Sequence, residues 1–280
     1  TGVMAHLTES EIIEHVALLP AFPGVVNDIL ATLEDDNATL GALIQLVGRD
    51  PVITARVLSI ANAAALGGRN PRELHDMQVA VSMIGLSRVR EIVLAVSLAE
   101  FSRESRMCSF FWEHSIAVGV AAQELAREAH FSVDLALVGG LLHDIGQLWM
   151  ARFYPLEFQM VRMALETSER DVLEVERAYF GMDHCVVGRI LASFWKLPPA
   201  VVEAVAHHHD RHPPAGKLLA ATHVAEAIAN ALDLARHEQA RVNHLSASAC
   251  AELGLDWTQD INYLFGRIEA RTRYLCRTFG

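Results

Sequence analysis

Four features are scarce in this 280-residue sequence: paired cysteines, positive charge, long apolar runs and strand-like alternation. The four cysteines are scattered along the chain, and two of them lie in apolar helical segments: Cys108, Cys185, Cys250 and Cys276. This scattered spacing suggests neither a disulfide framework nor a zinc knuckle. We therefore predict buried free thiols.

Basic residues are too few to balance the acidic ones. The chain has 23 Lys and Arg against 34 Asp and Glu, which gives a formal net charge of -11. Non-specific binding to nucleic acid or anionic lipid depends on clustered basic side chains that release counterions. The charge balance and the lack of an evident basic recognition helix count against DNA as a partner, and any nucleotide ligand would need a local basic patch.

Uninterrupted apolar runs are short. Charges or glycines break each run well before the ~20 residues that a bilayer-spanning helix needs, and no charged leader with a hydrophobic core opens the sequence. We therefore expect no membrane partner and a cytoplasmic location. The sequence opens with Thr1-Gly2 in place of an initiator methionine, which is compatible with a segment of a longer protein that carries a neighbouring domain.

What the sequence does have is helical periodicity. Apolar residues recur every three to four positions along nearly the whole chain, and period-two runs are rare. We predict an all-α fold, a multi-helix bundle of two packed subdomains. The expected boundaries are 8–104 for the first subdomain, 105–240 for the second, and 241–280 for a C-terminal loop and closing helix. The predicted helices of the first subdomain and the closing helix are Glu9–Leu18, Pro23–Glu34, Leu40–Gly48, Pro51–Leu66, Met77–Ile84, Ser87–Phe101 and Ile261–Phe279.

The strongest functional signal is the adjacent pair His143-Asp144. The pair lies within the apolar run Leu141-Leu-His-Asp-Ile-Gly146, which we predict to be a buried helix. A desolvated carboxylate beside an imidazole is costly unless a partner, often a metal ion, neutralises the charge. The pair therefore predicts a functional site.

Four further histidines fall on the apolar stripes of predicted helices: His114, His184, His208 and His209. A single histidine on a buried stripe is more often a hydrogen-bonded core residue than a ligand. Five of them together with Asp144 are better explained by a shared metal ion, because each would otherwise need its own buried partner. Imidazole suits divalent iron, manganese, zinc or nickel. The alternative, a site without metal in which these residues bond to one another and to water, stays open.

Two arginines, Arg88 and Arg90, follow the turn at Gly85. They could bind a phosphate near a helix N-terminus. The alternative is an exposed pair on a charged helix face, which is commoner, and we favour it.

The order of these residues resembles that of known families. His114, His143-Asp144, His184 and His208-His209-Asp210 resemble the HD superfamily of metal-dependent phosphohydrolases, and the stretch from His184 onwards resembles its cyclic di-GMP branch, HD-GYP. The first hundred residues resemble the HDOD family, the HD-related output domain of bacterial signalling proteins. The matching segments there are Leu19-Pro20, Asp50-Pro51, Ala61-Asn62 and Ala80-Val81-Ser-Met-Ile-Gly85-Leu86. Together the matches cover about residues 10–235, and the chain is identified as a member of the HDOD family.

The resemblance also shows departures from active relatives. It implies a distal aspartate ligand on a helix after the double histidine, where this chain offers His223 by position. Gln147 replaces the lysine that follows the aspartate motif, and Arg211-His-Pro-Pro-Ala-Gly216 replaces the Gly-Tyr-Pro signature. An upstream glutamate ligand falls near Phe110, which cannot bind a metal. Since carboxylates normally bridge the ions of such sites, only Asp144 is clearly left to bridge.

The resemblance implies a function, with one alternative. We favour a signal-transduction output module whose HD site is degenerate and catalytically weak or silent. It would relay a signal by a conformational change to a partner protein or to a neighbouring receiver or sensor domain. The alternative is a metal-dependent phosphohydrolase or phosphodiesterase that acts on a nucleotide or a cyclic dinucleotide, with Asp144 as the catalytic candidate. In both readings the expected metal ligands are His114, His143, Asp144, His184, His208 and His209, with His223 as a further candidate.

Overall fold

The computed structural model describes residues 6–16, 18, 22–32, 39–49, 51–65, 77–104, 109–168, 170–235, 244–257 and 262–279. Within these ranges every regular element is an α-helix, which confirms the predicted all-α class. In the same ranges no helix has the length and apolar character needed to cross a bilayer.

The helices are numbered in chain order. The first six are α1 (Glu9–Val16), α2 (Phe22–Ala31), α3 (Thr39–Gly48), α4 (Pro51–Ala65), α5 (Met77–Ile84) and α6 (Leu86–Glu104). The next five are α7 (Ser109–Glu128), α8 (Val133–Leu142), α9 (Ile145–Phe153), α10 (Pro155–Glu166) and α11 (Val172–Phe180). The last five are α12 (His184–Phe194), α13 (Pro199–His207), α14 (Lys217–Ala231), α15 (Ala247–Glu252) and α16 (Asn262–Phe279).

The helices predicted from periodicity in the first hundred residues are confirmed within three residues at each end, and the closing helix within one. The two motif residues Asp50 and Asn62 cannot be compared in the same way. Asp50 lies outside the described residues, and Asn62 belongs to α4 but its side chain lies outside the description.

The chain divides into two compact units. One is Ala21–Phe101, and the other joins residues 1–20 to residues 102–280. This division differs from the predicted boundaries of 8–104, 105–240 and 241–280. The reason is tertiary packing: α1 packs on α12 and α16 packs on α7, so both ends of the chain belong with the histidine-bearing helices.

In the smaller unit, Arg90 has a structural role. Its side chain is buried, and its guanidinium donates to the hydroxyl of Thr32 at 3.1 Å and to the carbonyl oxygen of Thr32 at 3.0 Å. Thr32 directly follows α2, so Arg90 satisfies a main-chain oxygen at the end of that helix. Arg88 pairs with Glu91 at 2.7 Å. The prediction of an exposed arginine pair is therefore wrong for Arg90.

In the larger unit, α7 is the central helix and packs against α8, α14 and α16. The main chains of α7 and α8 are in close contact, because a Cβ atom at Gly140 would lie 2.6 Å from the Cα atom of Gly119. Only glycine fits at position 140. This close approach sets α8, and the His143-Asp144 turn that follows it, directly against the helix that carries His114.

Candidate metal centre

His143 and Asp144 occupy the turn between α8 and α9. The prediction that they lie within one continuous helix is therefore wrong, since the backbone at Asp144 (φ -98°, ψ 19°) leaves the helical conformation. Consecutive side chains on a regular helix point about 100° apart. The turn instead brings Nε2 of His143 to 3.3 Å from Oδ2 of Asp144, so both side chains face one site.

The first set of donor atoms, which we name the first triad, consists of Nε2 of His114, Nε2 of His143 and Oδ2 of Asp144. The two ring nitrogens are 3.3 Å apart, and Nε2 of His114 lies 3.7 Å from Oδ2 of Asp144. All three residues are buried. The first triad therefore joins α7 to the α8–α9 turn.

The second triad consists of Nε2 of His184, Nε2 of His208 and Oδ1 of Asp144. The two ring nitrogens are 3.3 Å apart, and they lie 3.3 Å and 3.4 Å from Oδ1. The ring of His209 adjoins this triad, with its centroid 4.3 Å from that of His208 and 5.0 Å from that of His184. Asp144 thus contributes one carboxylate oxygen to each triad.

The start of α12 places His184 at the site. Asp183 is the N-cap of α12, and its carboxylate accepts from the main-chain N–H of Val186 at 2.9 Å. The preceding helix α11 ends at Gly181, whose φ of 80° is the left-handed conformation that glycine readily adopts. This short connection makes His184 the first residue of α12 and directs its ring inward.

Three of the rings are oriented by a hydrogen bond from Nδ1. His143 donates to the carbonyl oxygen of Gly140 at 2.7 Å, and His208 donates to that of Val205 at 2.9 Å. A carbonyl oxygen can only accept, so in these two rings Nδ1 carries the proton. Their Nε2 atoms lie beside Asp144, 3.3 Å from Oδ2 for His143 and 3.4 Å from Oδ1 for His208. A ring held through Nδ1 with Nε2 towards the ion is the usual arrangement of a metal-binding histidine.

A carboxylate orients the third ring. Oε2 of Glu176, on α11, accepts from Nδ1 of His184 at 2.6 Å and from the main-chain N–H of His184 at 2.8 Å. The sequence analysis missed Glu176, although a signal was present. Glu176 lies four residues after Val172 and four before Phe180, so it is an acid on the apolar face of a helix, and it is buried.

The electrostatics keep Asp144 ionised. Burial by itself would raise its pKa, but the surrounding histidines, His143 first among them, hold the pKa of Asp144 well below its ordinary value. Burial would likewise lower the pKa of His184, but the carboxylate of Glu176 raises it well above its ordinary value. Burial lowers the pKa of His209, and His208 and His184 lower it further, so this ring is neutral at pH 7 and keeps a free lone pair.

The donor atoms fit divalent metal ions. Oδ1 of Asp144 is buried and makes no hydrogen bond of good geometry with the described residues, although the Nε2 atoms of His184 and His208 lie 3.3 Å and 3.4 Å from it. A tetrahedral ion with bonds of about 2.1 Å to nitrogen holds neighbouring donors about 3.4 Å apart, close to the spacing of 3.3 to 3.7 Å within each triad. A cation placed at each triad would neutralise the carboxylate that the rings surround.

His223 does not have a ligand's geometry, although the sequence made it a candidate. Its Nδ1 donates to the carbonyl oxygen of His208 at 2.7 Å, and its Nε2 accepts from the main-chain N–H of Ser246 at 3.0 Å. Both ring nitrogens are engaged, so neither lone pair is left for a metal. His223 instead fixes the double-histidine turn against the segment that precedes α15.

Glu226 is the second residue that the sequence analysis missed. It lies on α14, three residues after His223, and one of its oxygens belongs to a group with ring nitrogens of His143 and His208 in which the three atoms lie within 4.8 Å of one another. The signal was its register with the buried residues Leu219 and Thr222 on one face of the helix. The site thus has a second carboxylate, contrary to the expectation that only Asp144 remained.

Comparisons with known proteins agree with this fold. A family model described as the HDOD domain matches residues 19–211. An uncharacterized protein of Treponema pallidum (strain Nichols) is 24% identical over 212 residues, or 72% of this chain and 39% of the relative, so the chain spans about two fifths of that protein's length.

Two solved structures share the architecture. An HDOD domain protein with unknown function from Geobacter sulfurreducens has a TM-score of 0.77 and 23% identity, covering 95% of this chain and 97% of that one. A candidate phosphohydrolase from Shewanella amazonensis SB2B has a TM-score of 0.70 and 23% identity, covering 96% and 98%. Because the family model matches well over half of the sequence, the chain belongs to the HDOD family.

Proposed function

We propose that this chain is the metal-binding output module of a bacterial signalling protein, and that two divalent transition-metal ions share the carboxylate of Asp144. The first triad would hold one ion and the second triad, with His209, the other. The observation that supports this most directly is the pair of triads, each with the donor spacing of a metal site and each using one oxygen of the same carboxylate. The donor set suits iron, manganese, zinc or nickel.

Bound ions would act on the conformation of the module. The ligands come from α7, the α8–α9 turn, α12 and the turn after α13, so the metal would cross-link four separate parts of the larger unit. Binding to the folded arrangement alone would stabilise it by mass action. Such a ligand shifts the population of conformers, which is the requirement for a signal relay.

The proposed output is contact with a partner protein or with a neighbouring receiver or sensor domain. Asp144 is the N-cap of α9, and α9 packs on α10, so changes at the site have a direct structural path to α10. On α10 the side chains of Leu156, Met160 and Met163 are exposed at helical spacing, which gives an apolar stripe on the protein surface. Methionine-rich stripes of this kind suit adaptable protein contacts.

Elemental analysis tests the proposal. Protein purified without chelator, or stripped and then dialysed against excess Zn²⁺ or Mn²⁺, should retain two equivalents of metal per chain. Asp144→Asn should lose at least one equivalent because the charged shared ligand is gone. Asp233→Asn is the matched control, since Asp233 is exposed with a φ of 46° that asparagine tolerates. Retention of no metal by the wild type would reject the proposal.

Phosphoester hydrolysis is the second candidate. It is favoured by Glu226, which restores a second carboxylate, and by the partial exposure of Glu226 and His209, which gives the site an edge open to solvent. Bound ions would supply Lewis acidity there, and substrate would enter at the edge that His209 and Glu226 line. The test is turnover of cyclic di-GMP and of bis-nitrophenyl phosphate by the metal-loaded protein. Activity that Asp144→Asn abolishes would favour this candidate over the catalytically silent module.

A further inference from the structure

Glu226 occupies the open edge of the metal centre. Its side chain is 14% exposed, close to the 15% of His209, whereas the rings of His143, His184 and His208 are fully buried. Oε1 of Glu226 lies 3.8 Å from Nε2 of His209. Glu226 therefore lies with His209 on the partly exposed side of the centre.

The position of Glu226 relates it to both triads. One of its oxygens lies within 4.8 Å of a ring nitrogen of His143, which belongs to the first triad, and of a ring nitrogen of His208, which belongs to the second. Asp144 is the one other carboxylate that reaches both triads in the described part of the chain. The two acids thus flank the same pair of sites.

A structural role for Glu226 has little support. Within the described residues no hydrogen bond holds its carboxylate, and its contact with His209 is longer than a hydrogen bond. An acid that is mostly buried, and that lies near imidazole rings without a hydrogen bond to them, is stabilised by a cation bound among those rings. The charge balance also favours a second acid among the ligands. Two divalent ions carry four positive charges, and Asp144 supplies only one negative charge.

We propose that Glu226 is the second bridging carboxylate of a two-metal centre, where it replaces from position 226 the acid that the sequence lacks at position 223. This inference rests on the proposed function, because it requires the two triads to hold metal. Glu226 would then be a metal ligand and would also limit which molecules can enter the site, since Glu226 and His209 form the open edge of the site.

The test uses the full chain stripped of metal and titrated with Mn²⁺. Wild-type protein should bind two equivalents and give the electron paramagnetic resonance spectrum of an exchange-coupled pair. Glu226→Gln should weaken the second equivalent by about tenfold or more and give the signal of isolated Mn²⁺. Glu226→Asp should retain part of the coupling, because it keeps the charge on a shorter side chain.

The bridging role of Glu226 can be tested separately from metal binding itself. Glu203→Gln removes the same charge from an exposed position on α13 and should behave as wild type. Unchanged affinity and unchanged coupling in Glu226→Gln would overturn the role of Glu226 while leaving metal binding intact. Uptake of one equivalent by the wild type would overturn both the bridge and the two-ion centre of the proposed function, and uptake of none would reject metal binding altogether. Glu226→Gln should fold normally, which a thermal melt verifies.

Discussion

Gly146 lies so close to His184 that a Cβ atom at position 146 would be 2.0 Å from the carbonyl oxygen of His184. The same atom would be 2.8 Å from the main-chain nitrogen of Gly188. This contact between α9 and α12 is therefore a direct main-chain contact. It fixes the distance between the turn that carries Asp144 and the first residue of α12.

Gly146→Ala should destabilise the protein strongly. The methyl group meets main-chain atoms that cannot rotate away, so the helices must separate, at a cost of about 3 kcal/mol or more in the free energy of unfolding. Urea denaturation measures the loss. Gly266→Ala is the control, since open space surrounds Gly266 on α16 and alanine there should stabilise by about 0.5–1 kcal/mol. Equal stabilities of the two variants would show that α9 and α12 do not pack as described.

Glu176→Gln should weaken metal binding without preventing folding. Glutamine retains an oxygen that can accept from Nδ1 of His184, but it removes the negative charge that makes this ring a better ligand. The dissociation constant for Zn²⁺, measured by competition with a chelating dye, should rise about tenfold. Glu174→Gln, on the exposed side of the same helix, should leave it unchanged. An unaltered dissociation constant in Glu176→Gln would contradict the orienting role.

His223→Gln should lower stability and leave the metal content as it is. The substitution disturbs two buried hydrogen bonds, to the carbonyl oxygen of His208 and from the N–H of Ser246, so the free energy of unfolding should fall by about 1–3 kcal/mol. Metal content is measured by elemental analysis after dialysis, and stability by urea denaturation of the metal-free protein. Loss of a full equivalent of metal would restore His223 as a ligand.

Glu124→Gln tests the ion cluster that joins α7 to α16. Burial would raise the pKa of Glu124, but Arg271, Arg127 and Arg267 contact its carboxylate and lower the pKa below its ordinary value of 4.5. The ionised carboxylate therefore stabilises the fold above pH 4.5, and this contribution is lost as the pH falls through the lower folded-state pKa. At pH 7 the substitution should cost about 1–3 kcal/mol.

The difference between wild type and Glu124→Gln should shrink when the unfolding of chelator-treated protein is measured at successively lower pH below 4.5. Glu269→Gln breaks an exposed pair with Arg273 on α16 and serves as the control, with a cost below about 0.5 kcal/mol at every pH. A difference for Glu124→Gln that is independent of pH would rule out the ionised carboxylate as its cause.

The parts of the site that sequence patterns predict are those fixed by a single helix. His114 faces inward because it shares the stripe of α7 with Val118, Ala121 and Leu125, and this register follows from the helical period alone. The N-cap at Asp183 is also a local feature, because an aspartate directly before a helical run is a typical N-cap. Local signals of this kind also located the helices of the first hundred residues.

The parts that sequence patterns could not predict depend on how helices meet. His223 and Glu226 are three residues apart, so their side chains point within about 60° of each other on α14. Which of the two faces the metal centre depends on the rotation of α14 against α7 and α8, which only tertiary packing sets. The turn at His143-Asp144 was hidden too, because an apolar run gives no sign that the helix ends within it.

The most direct test of the shared carboxylate is anomalous diffraction from crystals of the Zn²⁺-loaded protein, recorded on both sides of the zinc absorption edge. The account predicts two anomalous peaks on either side of the Asp144 carboxylate, one next to His114 and His143 and the other next to His184 and His208. A single peak, or zinc bound only elsewhere on the protein, would contradict it.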